Sequence, residues 1–69
     1  MEINWKDGFV IKVRIEDNTV VLSANKEGLL SLAGILNTLA DEPAGGHIHL
    51  DEYNSLEDGP NEMILERIG

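Results

Sequence analysis

Two histidines and a carboxylate stand at alternate positions in the stretch from Gly45 to Tyr53, GGHIHLDEY: His47, His49 and Asp51. Alternation with period two is strand spacing, so these three side chains share one face while Ile48 and Leu50 take the other. Imidazole nitrogen with carboxylate oxygen suits zinc or a similar ion. A histidine beside a carboxylate can also act as a general base. Both chemistries need more than is written here. A closed zinc site needs a fourth ligand and a catalytic one needs a pocket, for which a chain of 69 residues has little room. There is no glycine-rich phosphate loop and no nucleophile in a strained turn; Gly45-Gly46 is a hinge after a helix. The bland counterpart is a pair of surface histidines hydrogen-bonded to nearby acids.

A second constellation follows directly: Asp51, Glu52, Glu57, Asp58, Glu62 and Glu66. The alternating oxygen ligands around a glycine that mark a calcium-binding loop are absent. Tyr53 and Leu56 lie within the string and offer an aromatic and an apolar anchor, the combination that binding hot spots favour. The charge is lopsided. Residues 1–34 hold five acids and four bases, a balance of −1, and residues 35–69 hold eight acids and one base, a balance of −7, which sum to the net −8. Nucleic acid requires phosphate-neutralising bases, so this balance excludes it as a partner class. A basic protein surface fits, through steering and complementarity. Plain solubility is the ordinary alternative. On this reading Asp51, Glu52, Tyr53, Glu57 and Asp58 are the contact residues. His47 and His49 orient Asp51 or join the same surface.

The elements that must position these residues can be read in order. Met1, Ile3 and Trp5 alternate weakly and suggest a first strand. Asp7-Gly8 is a hairpin signal; a three-residue loop with Gly8 left-handed would set Trp5 against Phe9 and Ile3 against Ile11. Phe9 to Glu16 alternates cleanly, with Phe9, Ile11, Val13 and Ile15 apolar. A tight turn at Asp17-Asn18 then pairs Ile15 with Val20, Val13 with Leu22 and Ile11 with Ala24. Asn25 caps a helix from about Lys26 to Asp41, with Glu27 in its first turn. Its stripe is Leu29, Leu32, Ala33, Leu36, Leu39 and Ala40, widened by Leu30 and Ile35. Such width means either a helix seated deep in a sheet's concavity or a flank that meets another protein. Leu56 should tuck the loop 54–60 onto the domain. Met63, Ile64, Leu65 and Ile68 read as a last strand, apolar on both faces and therefore central or covered.

The sum is an α+β fold: one small, mostly antiparallel sheet of four to five strands, in the order β-β-β-α-β-β with the first strand the weakest, and one helix packed on one face. One helix leaves the far face open, carrying Lys12, Arg14, Glu16, Ser23, His47, His49 and Asp51, with Val10 and Val21. Residues 1–69 are expected to form a single domain with a thin core. The chain has no cysteine, which excludes disulfides and thiolate metal sites and fits a reducing cytoplasm. Neither a signal peptide nor a membrane span is written in it.

Three blocks carry a resemblance. They are Asn25-Lys26-Glu27-Gly28-Leu29-Leu30 with the helix, His47-Ile48-His49-Leu50-Asp51-Glu52-Tyr53-Asn54, and Asn61-Glu62-Met63-Ile64-Leu65-Glu66-Arg67-Ile68. Over roughly residues 22–68 the chain resembles the immunity protein 32 family of bacterial polymorphic toxin systems, and HIHLDEYN is the specific part. The resemblance implies a small α+β protein without enzymatic activity or cofactor that neutralises a toxin domain encoded beside it, in the cytoplasm. An acidic inhibitor of this kind would occupy the basic cleft of a nuclease toxin as a phosphate mimic. Two other readings stay open. One is a metal-binding module or small metal-dependent enzyme using His47, His49 and Asp51. The other is a homodimeric, self-associating domain with no separate activity.

Overall fold

The computed structural model describes residues 3–57, 59 and 61–69. Strand β1, Ile11–Glu16, turns back into β2, Thr19–Ala24, at Asp17 and Asn18. Both turn residues have positive φ, 48° and 67°, which asparagine and aspartate tolerate better than other side chains. The observed partners Ile15–Val20, Val13–Leu22 and Ile11–Ala24 are those that the apolar alternation requires. A one-residue slip would turn this set to the other face.

Helix α1, Lys26–Ala40, starts at Asn25, whose side-chain oxygen accepts from the Gly28 backbone N–H at 2.8 Å. The same amide also ties the hairpin's root: Val10 N–H donates to Asn25 Oδ1 at 3.0 Å, and Asn25 Nδ2 donates to the Gly8 carbonyl at 2.9 Å. Gly8 is left-handed, φ 81°, as the Asp-Gly signal predicts. Trp5 and Phe9 meet across this turn with their rings stacked at 4.7 Å. The expected first strand does not form among the described residues, however. Residues 3–5 carry no strand pairing, and Met1 lies outside the described residues. The Lys6 N–H goes instead to Ser31 Oγ on the helix at 2.8 Å.

The helix is rotated from the expected stripe. Its buried residues are Gly28, Ser31, Leu32, Ile35 and Leu39, while Leu29, Ala33, Leu36 and Ala40 are exposed. An apolar arc this wide leaves the rotation undetermined, and two non-apolar residues decide it. Gly28 lets the first turn lie against the β1 entry, where a Cβ would stand 2.5 Å from the Val10 carbonyl oxygen. Ser31 is buried because its hydroxyl is satisfied, donating to the Glu27 carbonyl at 2.8 Å and accepting from Lys6.

Strand β3, His47–Leu50, pairs antiparallel with β4, Met63–Glu66. The expected single sheet is therefore two two-stranded sheets, β1-β2 and β3-β4. They share one core: Ile11 from β1, Leu32 from α1, Leu50 from β3 and Leu56 from the loop, with Val13, Ile48, Met63 and Leu65 packed around them. The sheets do not merge because irregular chain lies along β1's outer edge. There Glu57 N–H donates to the Ile11 carbonyl at 2.8 Å and Asn61 Nδ2 to the Val13 carbonyl at 3.4 Å. Strand β4 is consequently not central, and Ile64 is half exposed.

The helix has no basic residue in its last turn. Arg67, far along the chain, supplies one. Its Nη1 donates to the Ala40 carbonyl at 3.1 Å and also to the Glu42 carbonyl, answering orphan acceptors and the negative end of the dipole. Arg67→Ala is expected to cost about 1–2 kcal/mol. That corresponds to a fall in Tm of roughly 5–15 °C for a domain of this size. Arg67→Lys should restore much of it, because both carbonyls are bonded by one nitrogen, Nη1, and an ammonium has three N–H groups to offer; only the Nε bond to the Gly69 carbonyl is lost outright. Thermal unfolding of both variants checks this, and an Arg67→Ala variant as stable as the wild type would refute the capping account.

Candidate functional site

The inner face of the β3-β4 sheet is Ile48, Leu50, Met63 and Leu65; the outer face is His47, His49, Ile64 and Glu66, as their pairing dictates. Both histidines are exposed and stand edge to face, ring centroids 5.2 Å apart. His47 Nδ1 lies 3.1 Å from the Gly45 carbonyl. His49 Nδ1 lies 3.3 Å from Glu62 Oε2. The histidines do not orient Asp51. The strand ends at Leu50, so the alternation that placed Asp51 on their face stops one residue short of it.

Asp51 instead organises the next turn. Its carbonyl accepts from the backbone of Ser55 at 3.0 Å and Leu56 at 2.8 Å, and its Oδ1 accepts from the Tyr53 N–H at 2.9 Å. Asn54 closes the same turn, accepting from Asp51 N–H at 3.1 Å and donating to the His49 carbonyl at 3.0 Å. An aspartate that bonds the backbone two residues on is an Asx-turn, a local structural use of the carboxylate. The metal reading of His47, His49 and Asp51 is corrected accordingly. Among the described residues no three histidines, cysteines or acids converge as a metal site.

The turn has a consequence for the surface. It throws Tyr53 outward, 89% exposed, next to exposed Glu52. It drives Leu56 the other way, into the core, as its apolar character inside a polar loop predicts. Leu56 is thereby removed as a partner anchor. Glu57 is exposed, with its backbone held on β1, so that carboxylate springs from a fixed point. Asp58 lies outside the described residues. A groove of about 610 Å³ opens between hairpin and loop, lined by Lys12, Arg14, Glu57 and Asn61 among others. It contains neither histidine and lies apart from the β3-β4 face.

Three residues of this surface were not legible as such. Ile64 is an exposed apolar residue between His49 and the acids, not central-strand core, since among the described residues no further strand covers it. Asn54 and Asn61 do positioning work through side-chain amides. Asn54, three residues after Asp51, was open to an Asx-turn reading, whereas nothing local marks Asn61, whose partner lies 48 positions away.

Among the described residues this loop therefore exposes two carboxylates, Glu52 and Glu57, and one aromatic, Tyr53. No helix among the described residues is long and apolar enough to cross a membrane. A family model described as immunity protein 32 matches residues 19–68. No curated protein matches the chain, and no solved structure does.

Proposed function

This chain belongs to the immunity protein 32 family, and from that premise we propose that it acts by binding and neutralising a partner toxin domain, not by catalysing a reaction. The family match over residues 19–68 carries the reading, because it spans the helix, both strands of the second sheet and the acidic loop. The surface supports it. The contact residues are Asp51, Glu52, Tyr53, Glu57 and Asp58, with His47 and His49 beside them. Tyr53 offers rigid aromatic area at low entropic cost, rimmed by polar groups. The eight acids from Asp41 to Glu66, with no Lys or Arg among them, favour a basic partner surface such as the cleft of a nuclease.

The test is co-expression with the C-terminal domain of the protein encoded beside it. Cells carrying both are expected to survive, and cells carrying the toxin domain alone to die. Equal killing with and without this chain ends the proposal. Affinity that is indifferent to raised salt would leave neutralisation standing but remove its electrostatic basis.

A further inference from the structure

We infer that β2 is a self-pairing edge, along which two copies of this chain join antiparallel to make one continuous four-stranded sheet. The two-residue turn makes Glu16 and Thr19 the closing hydrogen-bonded pair, so Arg14–Val21 and Lys12–Ser23 are the bonded pairs that follow. The backbone groups of Val20 and Leu22 then point away from β1. On β1 the corresponding outward carbonyls, Ile11 and Val13, are covered by Glu57 and Asn61. Among the described residues β2 pairs with no strand but β1, and the helix meets it at Ala24, beside Gly28. Edge strands are ordinarily protected by lysine, proline, a bulge or an inward charge. Thr19-Val20-Val21-Leu22-Ser23-Ala24 has no charge and no proline, and its register with β1 is unbroken. The side chains continue the argument. Ile15, Val20 and Leu22 share one face and are 61%, 65% and 43% exposed.

Two features select a second copy as the occupant. An antiparallel edge presents donors and acceptors in an order that is its own complement, so a two-fold contact satisfies both copies at once. Placing Val20 of one copy opposite Leu22 of the other uses the outward pairs and stacks the apolar residues on one face. The charge distribution permits it. Residues 9–40 carry three bases, Lys12, Arg14 and Lys26, and three acids, Glu16, Asp17 and Glu27, for a balance of zero. The acidic loop lies on β1's outer side, with β1 between it and β2, so pairing at β2 does not press the two acidic regions together. A basic partner would find no carboxylate on the apolar face to meet. This inference is independent of the toxin reading.

Sedimentation equilibrium of the purified full chain over a range from about 10 μM to 1 mM tests it. The wild-type mass is expected to rise from 7.6 kDa toward twice that value. Val20→Lys sets a cation against Leu22 of the other copy, with the two lysines diagonal across the two-fold, and should weaken association at least tenfold, with circular dichroism unchanged because the side chain is exposed. Leu22→Pro removes one outward N–H, which β1 does not use, and should do the same. A chain monomeric throughout overturns the inference, as does a Val20→Lys variant that associates like wild type. A chain monomeric alone whose Val20→Lys variant loses toxin binding also overturns it, and gives this edge to the toxin.

Discussion

Gly28→Ala is expected to destabilise the protein by about 2–4 kcal/mol, although alanine is the better helix former by about 1 kcal/mol. The new Cβ would stand 2.5 Å from the Val10 carbonyl oxygen, 3.0 Å from Ala24 Cβ and 3.0 Å from Ile11 Cγ1. The first two neighbours cannot rotate aside: one is backbone, the other has no rotamer. The helix must lift from β1, which loosens the packing over Ile11, a residue with no exposed surface. A domain of this size has roughly 3–10 kcal/mol in total, so a large part of the native population is at stake. Gly34→Ala on the same helix is the internal control. A Cβ there meets nothing within 4 Å, so propensity acts alone and stability should rise by up to about 1 kcal/mol. Urea midpoints of the two variants must move in opposite directions. A neutral Gly28→Ala would mean that the close approach does not set the helix's rotation.

The largest effect on function is expected from Glu52→Lys with Glu57→Lys. Both side chains are exposed, Glu52 within the Asx-turn and Glu57 beyond it, and the Glu57 backbone bond to Ile11 does not depend on its carboxylate. The fold should therefore survive, as circular dichroism and the unfolding midpoint would report. Toxin binding should not. Like charges brought together across an interface cost several kcal/mol, and a loss of about 3–4 kcal/mol is roughly 100- to 1,000-fold in affinity. Co-expressed cells lose protection. Raising ionic strength should weaken the wild type and narrow its gap to the double variant, since screening removes both the attraction and the repulsion. Glu16→Lys, on the hairpin, is expected to leave binding unchanged. Retained affinity in the double variant would move the contact surface away from this loop.

The hairpin and the helix start were legible because their determinants are local. Alternation from Phe9 to Ala24 has one register that keeps Ile11, Val13, Leu22 and Ala24 together, and Asp17-Asn18 supplies positive φ. Asn25 announces the helix through its own side chain. Leu56 was legible as an apolar residue that a polar loop could not leave in water. The histidine face was only half legible. His47 and His49 lie together as spacing requires, but periodicity cannot say where a strand stops, and Asp51 falls one residue beyond it.

What the sequence by itself determined is therefore the short-range geometry and the charge. It set the hairpin, helix and two later strands in their order, though it also read a strand before the hairpin where residues 3–5 carry no pairing; and it set the first hairpin's register, the cap at Asn25 and the concentration of acids in the second half, since each follows from neighbours a few positions apart or from composition. The tertiary structure decided the rest. It chose which flank of an over-wide apolar helix is buried, through the close approach at Gly28 and the Lys6 bond to Ser31. It split the sheet in two by laying Glu57 and Asn61 along β1, and it assigned Arg67 to the helix end. It turned Asp51 into a hinge that aims Tyr53 outward. Each of these rests on a contact between segments distant in the chain or on the end of a periodic run. A pattern with spare apolar positions admits several such arrangements, and only packing and hydrogen-bond satisfaction across the whole molecule select among them.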